Sequence, residues 1–276
     1  MAVQKTAEGL TKPQPDYREA KLPAPLSCDD TDEYKLVEID RNSDLFNEDL
    51  VDIGSQGIAV QAFYARTDGL NAPVYKPFQS ASTRVFLRRS VVELLKKVNR
   101  SLLPYGVEVL VWDGYRPVAV QKELWDWMLE EARQRLPEAS SDEQTEFALR
   151  FASNPEHFDP DKPDTYPTHS TGGAVDLTLR ELVSGNPLYM GGIYLDPSDR
   201  TATRFYENAG RSAPASDLEA KRNRRLLFGA MSAFDFVNYA YEWWHFDYRT
   251  QAWVMNQGRP AGLKASYGVA NRGEVI

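Results

Sequence analysis

The apolar run Val107-Glu108-Val109-Leu110-Val111-Trp112, rich in β-branched residues, predicts the clearest strand in the chain. Upstream of it, Val91, Val92, Leu94, Leu95 and Val98 recur at helical spacing with Arg and Lys between them. That pattern predicts an amphipathic helix over about Val85 to Leu103, packing its apolar stripe on a core. Downstream, Pro117 sits where a helix can open, and the helix is expected to reach about Leu136. Ser141 to Phe151 reads as a further helix, begun by a cap-like Ser-Asp-Glu. The basic run Lys221-Arg222-Asn223-Arg224-Arg225 opens the apolar part of a helix through Phe236, and such a run is expected to be a solvated face. Tyr34 to Asp40 alternates and reads as a strand, as does the aromatic-rich Glu242 to Tyr248. Gly57 to Ala65 is apolar and fits a strand or a short helix.

Proline and glycine divide the chain. Lys12-Pro13-Gln14-Pro15 and Leu22-Pro23-Ala24-Pro25 admit neither helix nor central strand, so residues 1–33 are expected to form an extended arm. Residues 34–258 then form the main domain, and 259–276 a tail without clear pattern that wraps the surface or is mobile. Asn154 to Pro167 is a loop rich in Pro and Asp, and Ser184-Gly185-Asn186-Pro187 is a turn.

Composition narrows the function. The 276 residues are 42% hydrophobic, enough for a sizeable core in one large domain with extensions. There are 32 basic against 40 acidic side chains, a net charge of −8, which makes nucleic acid and anionic membrane poor partners. A small-molecule substrate fits better, and a homo-oligomer stays open. No apolar run approaches the ~18 residues needed to cross a bilayer. The single cysteine, Cys28, excludes an intramolecular disulfide framework. No basic region followed by an apolar core opens the chain, so a cytoplasmic protein is expected; one exported and trimmed of its leader, periplasmic or secreted, would look the same.

The chemistry sits in two stretches. Only three histidines occur in the chain. His169 lies in Thr168-His169-Ser170-Thr171-Gly172-Gly173-Ala174-Val175-Asp176, and His245 closes Tyr241-Glu242-Trp243-Trp244-His245. Imidazole nitrogen and carboxylate oxygen are ligands for Zn²⁺, and a catalytic zinc keeps three protein ligands and a water. The two stretches therefore read as one metal site of His169, Asp176 and His245, with Glu242 as a base beside it. Gly172 and Gly173 would let the backbone pass close to a ligand, and Leu177-Thr178-Leu179 would hold Asp176 on a short strand. Hydrogen-bonded core histidines and an Asp in a turn would leave the same letters, and residue types alone leave both readings open. His157, between Pro155, Glu156 and Asp159, is expected to be a solvated loop residue. Arg116 reads first as a surface arginine in an ion pair with Asp113.

The order of motifs is more specific. His-Ser-x-Gly-x-Ala-x-Asp, then Glu-Trp-Trp-His, preceded by Trp112-Asp113-Gly114-Tyr115-Arg116-Pro117, resembles the D-alanyl-D-alanine dipeptidases, zinc peptidases related to D,D-carboxypeptidases and hedgehog domains. The resemblance spans residues 112 to 247 and implies an α+β fold, a small antiparallel sheet flanked by helices. It implies one Zn²⁺ per chain, a general base at Glu242, and Arg116 as the group that steadies the tetrahedral intermediate, with Asp113 orienting it. It implies the D-alanyl-D-alanine dipeptide as substrate, in cell-wall turnover or vancomycin resistance, with Tyr75, Asp113 and Asp196 as candidate substrate-side residues. The alternatives are a carboxypeptidase acting on longer peptidoglycan peptides and a zinc-stabilised binding module.

The chain departs from that pattern in three places. Gly69-Leu70 stands where the family has Asn-Phe, Thr171 where it often has Arg, and an extra residue separates Gly191 from Asp196 in Met190-Gly191-Gly192-Ile193-Tyr194-Leu195-Asp196. The last departure bears on recognition of a free amine. One geometric conflict also stands: on a regular strand Glu242 and His245 would face opposite sides. A bulge or tight bend at the Trp-Trp pair would resolve it.

Overall fold

The computed structural model describes residues 16–26 and 32–270, so Cys28, residues 1–15 and residues 271–276 lie outside the description. Among the described residues seven strands form: β1 (Leu50–Asp52), β2 (Ala59–Val60), β3 (Phe86–Arg88), β4 (Val107–Asp113), β5 (Ala174–Glu181), β6 (Val237–Asn238) and β7 (His245–Asp247). Five α-helices accompany them: α1 (Arg89–Leu102), α2 (Val118–Arg135), α3 (Ser141–Leu149), α4 (Ala215–Ser232) and α5 (Gln251–Met255). The fold is α+β, as expected.

The central sheet has the order β2-β4-β5-β7-β6. Its pairs are antiparallel except at one edge, where β2 runs parallel to β4. β1 and β3 make a separate antiparallel pair. Val107, Val109 and Val111 point from β4 into the main core with Val91, Leu95 and Val98 of α1. Helix α4 lies against β5 and against α1. Helices α2 and α3 pack on one another.

Several boundaries differ from expectation, each for a tertiary reason. Val85 to Arg88 is not helical, because Phe86–Arg88 pairs with β1, a strand far earlier in the chain, and α1 starts only at Arg89. Tyr34 to Asp40 is not a strand: Asp32–Leu36 forms a 3-10 helix, and Ile39 makes only one bridge, to Ala265. That bridge draws the C-terminal segment inward. Ala265, Ser266, Tyr267 and Gly268 are buried, so this part of the tail is interior and not a loose surface wrap. Helix α3 is capped one residue earlier than the Ser-Asp-Glu pattern implied, by a capping box of Ser140 and Glu143. Of the arm, Tyr17 and Leu22 are buried, Tyr17 close against Gly229 of α4.

The basic run on α4 is not a solvated face. Arg222 is exposed, but Arg224 is 2% exposed. Arg224 donates from Nε to the Met190 carbonyl, from Nη1 to Ala202 and from Nη2 to Arg200, each at 2.7 Å. Its guanidinium also lies over the rings of Tyr206 and Trp243. Burial pulls its pKa down to about 10, which leaves it charged at neutral pH. One buried cation thus ties residues 190–202, a stretch with no regular strand or α-helix, to a rigid helix. No described helix is long and apolar enough to cross a membrane.

Arg224→Met keeps the side chain's length and removes its donors. Three carbonyls then lose their partner, and unfolding free energy should fall by about 2–4 kcal/mol. A urea titration reads this as a lower midpoint at unchanged slope; an unmoved midpoint would mean that water serves these carbonyls equally well.

Candidate metal centre

The sheet register builds the site. Asp113 on β4 pairs with Asp176 on β5, and Asp176 pairs with His245 on β7. Directly opposed residues share a face, so three side chains from three strands form one row. A register shift between Val111 and Asp113 brings Asp113 into that row.

His169 reaches the row from outside the sheet. Thr168–Thr171 is a 3-10 helix ended by Gly172 at φ 73°. The loop docks on the β4–α2 junction by two hydrogen bonds: Arg116 N donates to the His169 carbonyl at 3.1 Å, and His169 Nδ1 donates to the Gly114 carbonyl at 2.7 Å. Gly114 is required there, since a Cβ would stand 2.6 Å from the Phe86 carbonyl. The glycine pair serves packing rather than ligand approach. A Cβ on Gly172 would meet Leu50 at 2.4 Å, and one on Gly173 would meet Tyr267 at 2.6 Å. Thr171, in the position of the family's Arg, closes its own loop by donating to the Thr168 carbonyl and accepting from Gly173 N. Buried Arg88 secures the same loop through the Thr171, Glu48 and Gly268 carbonyls.

The Trp-Trp segment bends before β7 begins. Glu242 N donates to Tyr239 O and His245 N to Glu242 O, so the chain turns instead of running straight. Asn238 clips this turn by donating from Nδ2 to the carbonyls of Glu242 and His245, both at 2.9 Å. Trp243 and Trp244 are buried at 2% and 1% exposure. The bend resolves the strand-face conflict: Glu242 Oε2 lies 3.9 Å from His245 Nδ1.

Ring nitrogens are assigned by their partners. The Gly114 carbonyl can only accept, so His169 Nδ1 carries its proton and Nε2 is the free acceptor. His245 Nε2 faces the Asp247 carboxylate at 2.9 Å, which frees Nδ1. These free nitrogens lie 3.2 Å apart, and His245 Nδ1 is 3.0 Å from Asp176 Oδ1. One ligand atom from each of His169, Asp176 and His245 lies within 4.8 Å of the others, and all three residues are buried. Burial opposes charge on His245, yet Asp247 and Asp176 outweigh it and hold the imidazole pKa well above its ordinary value. Burial likewise opposes charge on Asp176, but His169 and His245 hold its pKa well below the usual carboxylate range. The centre stabilises a positive charge, and its donor set of two imidazoles and a carboxylate fits a divalent cation such as Zn²⁺.

Around it, Arg116 donates from Nε to Asp113 at 2.7 Å, from Nη1 to Gln121 at 2.9 Å and from Nη2 to Asp176 Oδ2 at 3.2 Å. Burial pushes the Glu242 carboxyl up to about 8, Asp176 adding to the rise while His245 and Arg116 oppose it. Arg116, His169, Asp176, Glu242 and His245 all line one cleft. Tyr75 does not: it is 64% exposed on a loop. Asp196 does not line the cleft either, although its neighbour Leu195 does. Asp113 sits behind Arg116 rather than on the cleft wall. His157 is exposed in its loop, as expected. Gln121, Asn238, Asp247 and Tyr194, which donates to Asp176 Oδ2 at 2.6 Å, were not singled out in the sequence. Asp247 alone carried a signal there, lying two residues past His245 on the same strand face.

A family model described as D-ala-D-ala dipeptidase matches residues 48–260. The chain belongs to the D-Ala-D-Ala dipeptidase family. It is 34% identical over 209 residues to a D-alanyl-D-alanine dipeptidase of Synechocystis sp., covering 71% of this chain and 83% of that one. It is 27% identical over 190 residues to the D-alanyl-D-alanine dipeptidase of Escherichia coli, covering 69% and 78%. Among solved structures, VanYB in complex with D-alanine-D-alanine aligns at a TM-score of 0.39 and 15% identity, over 65% of this chain and 82% of that one.

Within this dipeptidase-family site, Gly173→Ala should force Tyr267 and Thr250 aside. A Cβ there would also stand 2.8 Å from the Tyr248 carbonyl. The overpacking should cost about 1–3 kcal/mol in a urea titration, and a midpoint equal to wild type would show that the two side chains and the Tyr248 backbone all yield freely.

Proposed function

We propose that this chain is a zinc-dependent D-alanyl-D-alanine dipeptidase, with one Zn²⁺ held by His169, Asp176 and His245. The observation that carries the reading is the meeting of these three buried ligands with Glu242 and Arg116 in one cleft of a chain from this family. A bound Zn²⁺ supplies Lewis acidity, lowering the pKa of a water and polarising the scissile carbonyl. Glu242 takes a proton from the attacking water and gives it to the departing amine. Its place in the bend, fixed by Asn238, keeps that carboxylate beside His245. Arg116 offers a permanent charge and a planar fork to the developing oxyanion, and Asp113 and Gln121 hold the guanidinium from behind. Asp247 and the Gly114 carbonyl fix which nitrogen each imidazole presents.

One observation favours a second reading. Asp196, the anion that would meet a free amine, is off the cleft wall, which suits a D,D-carboxypeptidase acting on peptides with a blocked amine.

D-alanine release from D-Ala-D-Ala, N-acyl-D-Ala-D-Ala and L-Ala-L-Ala, with and without a chelator, separates the readings. Chelator-sensitive release from the free D,D-dipeptide alone is expected; preference for the acylated peptide would favour the second reading, and no turnover by zinc-loaded protein would overturn both. Glu242→Gln should lower kcat at least about 100-fold while zinc stays bound. His169→Ala should lose the metal, and a stoichiometric zinc content in that variant would overturn the ligand set.

A further inference from the structure

Asp176 has two oxygens in different surroundings. Oδ2 accepts from Tyr194 Oη at 2.6 Å and from Arg116 Nη2 at 3.2 Å. Oδ1 faces His245 Nδ1 at 3.0 Å, the nitrogen that would be left to a metal. A carboxylate oxygen has about two lone-pair sites. Two donors occupy those of Oδ2, which also lies 3.4 Å from His169 Nε2, whereas Oδ1 keeps a lone pair toward His245 Nδ1.

Tyr194 is built to make this contact. It is 2% exposed, and its ring is caged by Phe63 at 4.6 Å, Trp112 at 5.2 Å and Trp244 at 5.2 Å between centroids. Its oxygen also lies 3.0 Å from Tyr64 Oη. A phenol has one proton, and Asp176 takes that of Tyr194, so Tyr64 must be the donor in the second bond. The hydrogen bonds therefore run in one direction, Tyr64 to Tyr194 to Asp176. The next residue, Leu195, sits at φ 59°, a conformation that costs a side chain about 1–2 kcal/mol. The surrounding loop, tied to Arg224, sustains that strain while presenting Tyr194 inward.

We propose that Tyr194 is a positioning residue for the metal centre: its hydroxyl, with Arg116, occupies the lone pairs of Asp176 Oδ2, so that Asp176 binds a metal through Oδ1 alone. This rests on the metal reading above. One-oxygen binding keeps a coordination position for water, and Tyr194 does this without touching metal or substrate. Removing the hydroxyl frees a lone pair of Oδ2, 3.4 Å from His169 Nε2, and loosens the carboxylate.

The test measures metal rather than turnover. Zn²⁺ affinity of wild type, Tyr194→Phe and Tyr64→Phe is determined by competition with a chromophoric chelator, and the visible spectrum of each Co²⁺-substituted protein is recorded. Tyr194→Phe keeps the caged ring, so its metal-free unfolding midpoint serves as the control for folding. Its Zn²⁺ Kd should rise about 10–100-fold, and its Co²⁺ bands should weaken as coordination number rises. Tyr64→Phe leaves the donor to Asp176 in place and should shift Kd less, still in the same direction. Wild-type Kd and an unaltered Co²⁺ spectrum in Tyr194→Phe would overturn the inference, as would a raised Kd with an unaltered spectrum. Should Tyr194→Phe not fold, an unchanged Kd in Tyr64→Phe would overturn it. Failure of the wild-type protein to bind Zn²⁺ or Co²⁺ would instead overturn the metal reading beneath it.

Discussion

Two imidazole lone pairs and a carboxylate, pressed together away from water, repel one another unless a positive charge lies between them. Everything around His169, Asp176 and His245 serves to hold that unfavourable meeting in place. The sheet supplies rigidity, since Asp113, Asp176 and His245 form one row across three hydrogen-bonded strands. The outer partners supply direction: the Gly114 carbonyl on one imidazole, Asp247 on the other, Tyr194 and Arg116 on the carboxylate. A site prepared in this way loses little on binding a cation, because the ligands need not be gathered from a flexible chain.

The rest of the molecule is arranged to bring irregular backbone to that row. Neither the His169 loop nor the bend at Glu242 is a regular element, and each would be mobile alone. The first is tied by Arg88, which joins its Thr171 carbonyl to those of Glu48 and Gly268 on other segments, and the second by Asn238 and the buried Trp pair. Arg224 does the same for residues 190–202, which carry Tyr194. Three loops are thus fixed by side chains that donate to main-chain oxygens. Arg suits this task, because its fork satisfies several acceptors at once and its charge persists when buried. The expectation of a solvated face at Lys221 to Arg225 failed for that reason: a charge run shows that a segment is polar, not which member turns inward.

Much of the site was legible in the residues themselves. The ligand types, their scarcity in a chain with three histidines, and the order of the motifs pointed to one metal centre and its family. Their convergence in one cleft, with Glu242 and Arg116 beside them, is now seen in the fold. Three elements were legible as well: α1 from an apolar stripe at helical spacing, β4 from a run rich in β-branched residues, and α2 from the proline at its start. What escaped was non-local. Phe86–Arg88 continues an apolar helical pattern, and only pairing with Leu50–Asp52 makes it a strand. Tyr34 to Asp40 alternates, yet finds no neighbouring strand beyond one bridge at Ile39. Tyr75 and Asp196 sat in motif-like positions, but local loop geometry leaves them off the cleft wall.

The sequence by itself determined the chemistry available: which atoms can bind a cation, which carboxyl and which guanidinium stand near them in the chain, and how much apolar surface there is to bury. These are properties of residue type and short-range spacing. Only the tertiary structure decided orientation. Whether Glu242 faces His245 depends on a bend clipped by Asn238, which nitrogen each histidine presents depends on Gly114 and Asp247, and which oxygen of Asp176 is free depends on Tyr194 and Arg116. Apart from Asp247, which shares β7 with His245, each partner comes from another element or turn than the residue it orients, and hydrogen bonds depend on distance and angle that chain spacing does not encode.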